Sequence, residues 1–207
     1  MEELNVVEYL IDRCRHRNVT AVVDSLVKVT RVGFFQGGSR GNSGQGGSGS
    51  VIVEYDEDRK EMTSVWAAAT ALGKHHITNN VAVFVGLQRM LAHAWEKKWT
   101  KLHVVGDSAL VLGMMSQRRR PKATTLLHWF QITRRLADLC EVVSWTHHCR
   151  RHNKAAGWLA NLAIDRGQSY MTSTEEGKLA APIAVGLEQL LNGDFSRWLN
   201  RQRTGEG

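Results

Sequence analysis

A chain of 207 residues that is 43% hydrophobic with two prolines has enough apolar sequence for one domain with a proper core, plus extensions. Twenty-seven Lys and Arg against 20 Asp and Glu give a formal charge of +7, which fits an anionic partner such as nucleic acid as readily as simple solubility. No stretch approaches the ~20 apolar residues of a membrane span, the acidic start MEELNVVEYLIDRC does not read as a secretory leader, and Cys14, Cys140 and Cys149 are too scattered for a disulfide framework, so no membrane partner and an intracellular location, cytoplasm or nucleus, are expected.

In chain order, Leu4, Val7, Leu10 and Ile11 recur at helical spacing, and AVVDSLVKV follows as a second short helix or a lead-in strand; residues 1–28 are read as an N-terminal helical extension. RVGFFQ is a short apolar run stopped by glycines, hence a buried strand, and SVIVEYD is its hairpin partner across a glycine-rich loop, Gly37 to Gly49. DEDRKE makes the next turn and MTSVWAAATAL a third strand. Over residues 78–95 Val81, Phe84, Val85, Leu87, Leu91 and Ala92 define a helix with Thr78 or Asn79 as its cap. KLHVVG is a strand, and Asp107 and Ser108 open a helix that runs to Gln117. A basic turn QRRRPK, a helix ATTLLHWFQITRRLADLC, a strand EVVSWTHHC and a helix NKAAGWLANLAIDRG ended by Gly167 complete a mixed α/β layer fold. Residues 170–207 are read as a C-terminal tail with short amphipathic segments, VGLEQLL and FSRWLNRQR.

Four ordered motifs, GGSRGNSG after a strand, ITNNVA opening a helix, HVVGDSALV at a strand-to-helix junction and WTHHCRRHNKAAGWLANLAID, together resemble a type 1 ribonuclease H domain over residues 29–169. The resemblance implies a five-stranded mixed sheet, a three-strand antiparallel meander plus two parallel strands, flanked by helices. It also implies Mg²⁺-dependent cleavage of the RNA strand of RNA–DNA hybrids by four acidic residues, whose positions fall here on Gln36, Val83, Asp107 and Gly157. Only Asp107 is acidic. Two-metal phosphodiester chemistry needs dications ~4 Å apart, and several carboxylates must offset their repulsion and replace their lost hydration. Gln36 brings no charge, Val83 no ligand atom and Gly157 no side chain, while Glu54, Asp56 and Asp165 lie too far along their elements to substitute. Asp107 is therefore expected to hold metal weakly or not at all, no cofactor is expected to bind tightly although Mg²⁺ is implied by the family, and hydrolysis is expected to be absent or nearly so.

Binding need not vanish with the acids, because duplex affinity is largely phosphate electrostatics plus sugar and groove contacts. The resemblance assigns hybrid contacts to Gly38, Ser39, Arg40 and Asn42 in the glycine stretch and to Thr78, Asn79 and Asn80 at a helix start. The same residues serve equally as a turn and a cap. Arg118, Arg119, Arg120 and Lys122, the pair Arg150 and Arg151, and tail residues Arg197, Arg201 and Arg203 are further candidates for tracking phosphate, or solvated surface. His147, His148, Cys149 and His152 lack a second pair at zinc spacing and are read as structural. Trp95 and Trp99 are read as packing rather than base-stacking residues. The expected protein is a monomeric, catalytically degenerate binder of RNA–DNA hybrid or duplex RNA; an active enzyme with an atypical ligand set and a protein-interaction scaffold are the alternatives.

Overall fold

The computed structural model describes residues 28–41, 44–73, 77–173 and 181–205; Asn42 and, apart from Lys28, the helical extension expected over residues 1–28 lie outside them. Strands β1 (Val29–Ser39), β2 (Gly46–Asp56) and β3 (Glu61–Leu72) form the antiparallel meander. β4 (His103–Gly106) lies parallel to β1, and β5 (Ser144–His147) parallel to β4. The sheet has six strands rather than five, because β6 (Tyr170–Ser173) pairs antiparallel with β3, giving the order β5-β4-β1-β2-β3-β6.

Alternation along β1 decides what covers each face of the sheet. Phe35 points into one cluster with Ile52, Trp66 and Phe84, closed by helices α1 (Asn79–Glu96), α2 (Ala109–Ser116) and α3 (Thr124–Leu139). Phe34 points the other way with Val32, Val51 and Val105, onto Ala155, Ala156 and Leu159 of α4 (Lys154–Arg166) and Leu187, Leu191, Phe195 and Trp198 of α5 (Ala181–Thr204). Where short tail segments were expected, one 24-residue helix therefore supplies core side chains to the α4 face.

The glycine stretch also differs from expectation. Gly37, Gly38 and Ser39 belong to β1 and Gly46 to Gly49 to β2, with Gly37 opposite Ser48 and Gly38 opposite Gly47. At Gly37, Gly47 and Gly49 a side chain is missing where a helix needs the room. A Cβ on Gly37 would collide with the α1 backbone at Ala82 and Val83, and one on Gly47 would lie 2.7 Å from the Ala160 carbonyl of α4. Two helices can thus sit directly on the strand ends, and both start beside the C-terminal end of β1.

Candidate nucleic-acid interface

Parallel pairing of Phe35 with Gly106 brings the next residue of each strand, Gln36 and Asp107, to the same edge. Gln36 Nε2 donates to Asp107 Oδ2 at 3.0 Å. Arg150, in a 3₁₀ turn (Arg150–His152) before α4, donates from Nε to the same oxygen at 3.1 Å. The Asp107 side chain is only 7% exposed, whereas that of Arg150 is 72% exposed, so a sheltered carboxylate is bridged to solvent by a guanidinium. His147 Nε2 lies 3.2 Å from the Asp107 carbonyl oxygen, and Ser108 caps α2 by accepting from the Val111 amide at 3.3 Å.

The start of α4 is fastened to this edge from two sides. Asn153 Nδ2 donates to the Phe35 carbonyl at 2.9 Å, tying α4 to the end of β1. Asp194 of α5 is buried and accepts from the Ala155 amide at 2.8 Å, satisfying one of the free N–H groups of the first helical turn. Burial pushes the Asp194 carboxyl above its usual pKa, against the pull of the Ala155 and Lys154 amides. His148 is buried beneath the same turn, with Nδ1 2.9 Å from the His152 carbonyl oxygen. Burial pushes its pKa down to about 4, the His152 carbonyl opposing and Arg201 and Arg197 reinforcing the shift. His152 is held low by burial, then by Arg197 and Arg151, with Asp194 opposing and Lys154 reinforcing. Arg201 Nη1 donates to the His147 carbonyl at 2.8 Å, so the tail helix brings further cations to this corner.

Of the four positions that the resemblance assigned to acids, Gln36 meets both Asp107 and Gly157, whereas Val83 has its backbone beside Gly37 and its side chain in an apolar cluster. Gly157 faces Gln36 so closely that a Cβ there would lie 2.5 Å from Gln36 Oε1. Val83 is 1% exposed and packs in the α1 cluster. The available donors are one carboxylate, already shared by an amide and a guanidinium, and one amide oxygen. That set does not fit a pair of octahedral dications. Among the described residues no group of three or more His, Cys, Asp and Glu is arranged to hold a metal ion. The other acids weighed as substitutes are engaged elsewhere: Glu54 pairs with Arg31 at 2.7 Å, Asp165 with Arg40, and Asp56 caps the β2–β3 turn through the Asp58 and Arg59 amides.

The two polar segments assigned to duplex contacts converge on each other. A Cβ on Gly38 would lie 3.9 Å from Asn79 Oδ1 and from Ile164 of α4, so the β1 end, the α1 start and α4 share one surface. Thr78 is the cap of α1, its Oγ1 3.4 Å from the Val81 amide, and Asn79 and Asn80 are its first residues. Ser39 closes β1, and Arg40 follows it. Arg118 instead turns toward Asp138, which Arg134 also bonds; Arg134 first, then Arg118, hold that carboxyl below its usual pKa. His147 and Cys149 are exposed and His148 buried, as expected of side chains on opposite faces of a strand end. Trp99 packs against the core beneath Arg31, 5.3 Å from its ring, while Trp95 is 45% exposed.

Sequence reasoning had no means of finding three of these relationships: the Arg150 bond to Asp107, the cap donated by Asp194, and the fit of Gln36 against Gly157. Each joins residues far apart in the chain.

A family model described as Reverse transcriptase-like matches residues 34–163. The N-terminal RNase H domain of Rv2228c from Mycobacterium tuberculosis, solved as a fusion with maltose binding protein, is 33% identical over 67% of this chain and 95% of that one, with a TM-score of 0.58. LC11-RNase H1, solved in complex with an RNA/DNA hybrid, is 28% identical over 67% of this chain and 99% of that one, also with a TM-score of 0.58. RNase H1 of the halophilic archaeon Halobacterium salinarum is 26% identical over 66% and 98% of the two chains, with a TM-score of 0.55. Among curated proteins, the bifunctional protein Rv2228c of M. tuberculosis is 34% identical over 146 residues, 70% of this chain, which spans 38% of that relative's length. Among the described residues no helix is long and apolar enough to cross a membrane.

Proposed function

Because this chain belongs to the ribonuclease H-like family, we propose that it is a catalytically degenerate member that binds RNA–DNA hybrid or duplex RNA without cleaving it. The observation that carries this reading is the state of Asp107: the one acid left at the four positions is bonded by Gln36 and Arg150 rather than standing among other carboxylates. Magnesium would supply nucleophile activation and leaving-group stabilisation in an active relative, and the donor set here offers it no adequate seat. What remains is positioning chemistry. Asn79 at the start of α1 and Gly38 at the end of β1 form a neighbouring pair, one offering a side-chain amide, the other close backbone approach. The complex of LC11-RNase H1 with an RNA/DNA hybrid supports the choice of ligand.

The test is a pair of assays on one preparation. Cleavage of a labelled RNA–DNA hybrid is followed with Mg²⁺ or Mn²⁺, using Asp107→Ala to expose contaminating nuclease, and binding to hybrid, duplex RNA and duplex DNA is titrated with and without Mg²⁺. Salt-dependent binding to hybrid or duplex RNA with no cleavage is expected. Turnover that disappears in Asp107→Ala would overturn the degenerate assignment, and absence of binding to either ligand would overturn the binding one.

A further inference from the structure

We infer that Arg150 takes over the bridging role of a metal ion, its guanidinium anchored on Asp107 and its outer edge forming a magnesium-independent site for a backbone phosphodiester. This rests on the proposed duplex binding and says where one phosphate sits.

A metal in such a corner places positive charge between protein carboxylate and substrate phosphate. Arginine can do the same, since its planar fork offers N–H donors on two edges and stays charged at any working pH. Here Nε is committed to Asp107 at 3.1 Å, and the 72% exposed side chain leaves the Nη groups to an incoming anion. An exposed ion pair alone would be a weak argument, worth ~0–1 kcal/mol. Asp107, however, is 7% exposed and receives a second bond from Gln36, so the anchor is held in place rather than drifting in solvent.

Charge around the corner points the same way. Arg201 bonds the His147 carbonyl, and Arg197, Arg151 and Lys154 lie close enough to His152 to act on it electrostatically. Their counterparts are Asp107, already paired, and the buried Asp194. The replaced acids serve this arrangement: carboxylates at 36 and 157 would compete for Arg150 and repel the phosphate. Neutral Gln36 instead donates to Asp107 and holds it toward the guanidinium.

The experiment compares the full chain with Arg150→Gln and with Arg59→Gln, which removes equal charge at the β2–β3 turn, at the far end of the meander. Inorganic phosphate is titrated while the backbone amide resonances of Asp107 and Gly157 are followed. Separately, hybrid affinity is measured against salt concentration without Mg²⁺. Arg150→Gln is expected to lose the phosphate-induced shifts, to bind hybrid about tenfold more weakly and to reduce the salt slope by about one. Arg59→Gln should do none of these, and Mg²⁺ should leave wild-type affinity unchanged. Hybrid binding by Arg150→Gln equal to wild type, or a strict Mg²⁺ requirement, would overturn the phosphate site while leaving duplex binding intact. Phosphate shifts in the wild type without any hybrid or duplex RNA binding would keep the site and overturn the duplex reading instead.

Discussion

The amide of Gln36 occupies the space that a side chain at residue 157 would need, for a Cβ on Gly157 would lie 2.5 Å from Gln36 Oε1. The residues at these two positions are therefore coupled, because any side chain at 157 must displace the Gln36 amide. In the wild-type background Gly157→Ala gains ~1 kcal/mol of helix propensity but pushes Gln36 off Asp107, a charge-assisted bond worth ~1.5–3 kcal/mol. Net destabilisation of ~1 kcal/mol is expected. With Gln36→Ala already in place the same substitution should stabilise by ~1 kcal/mol. Urea unfolding of the four members of this double-mutant cycle measures the coupling directly, and the same sign in both backgrounds would remove the steric account.

Neighbouring glycines in the β1–β2 hairpin should respond very differently to alanine. A Cβ on Gly49 would collide with the Ala156 carbonyl and lie 2.6 Å from the Ala160 amide, both backbone atoms of α4 that cannot rotate away. Gly49→Ala is expected to cost ~3 kcal/mol as α4 is forced off the sheet. Gly38→Ala meets nothing closer than 3.9 Å and should stay within ~0.5 kcal/mol of wild type. Thermal unfolding separates the two, and the folded Gly38→Ala protein then reports whether backbone approach at that point contributes to duplex affinity.

Asp194 ties the tail helix to the site. It is buried, accepts from the Ala155 amide at 2.8 Å, and sits between Leu191 and Phe195, which enter the α4-side core. Asp194→Ala leaves a helix-start amide without its acceptor and is expected to cost ~2 kcal/mol. Asp194→Asn keeps an acceptor oxygen and should cost less. Because burial raises the native carboxyl above its ordinary pKa, this group favours folding most below pH 3.8 and loses that contribution as pH rises through the native value; the Asn variant should lack this dependence. Hydrogen exchange at the Ala155 amide checks the cap, with faster exchange expected in the Ala variant.

The strand segments whose side chains alternate are legible in the sequence, and those built of glycine are not. Phe34 and Phe35, adjacent yet assigned to opposite cores, mark β1, and Phe84, Leu87 and Leu91 recur at the helical spacing that buries them. Asp107 followed by Ser108 marks the junction of β4 and α2, the cap falling on Ser108. Gly37, Gly38 and Gly46 to Gly49 carry no period, so their membership in β1 and β2 shows only in the pairing of the folded sheet. β6 is a four-residue edge strand whose place comes from pairing with β3, and α5 has its apolar positions interrupted by polar ones. Arg150 is 43 residues from Asp107 and Asp194 is 39 from Ala155, and contacts of that kind are set by the fold rather than by local sequence. Gln36, Asp107 and Gly157, which the resemblance singled out, lie together in the fold, and the resemblance held no information on the Arg150 bond to Asp107.

The buried His148 gives the corner a pH dependence with a definite sign. An unfolded chain protonates this imidazole near 6.5, while burial, only partly opposed by the His152 carbonyl and reinforced by Arg201 and Arg197, lowers the native value to about 4. Between those values the unfolded state binds a proton that the native state rejects, so stability is full above 6.5 and falls as pH drops through the window toward 4. The full difference corresponds to at most ~3 kcal/mol. Asp194 acts in the opposite sense over the more acidic part of this range, because its raised pKa favours the native state on acidification. His148→Gln retains a donor toward the His152 carbonyl without titrating, and its urea midpoint should change less than that of wild type from about pH 7 to about pH 4. Parallel curves for the two proteins would show that His148 does not carry the effect.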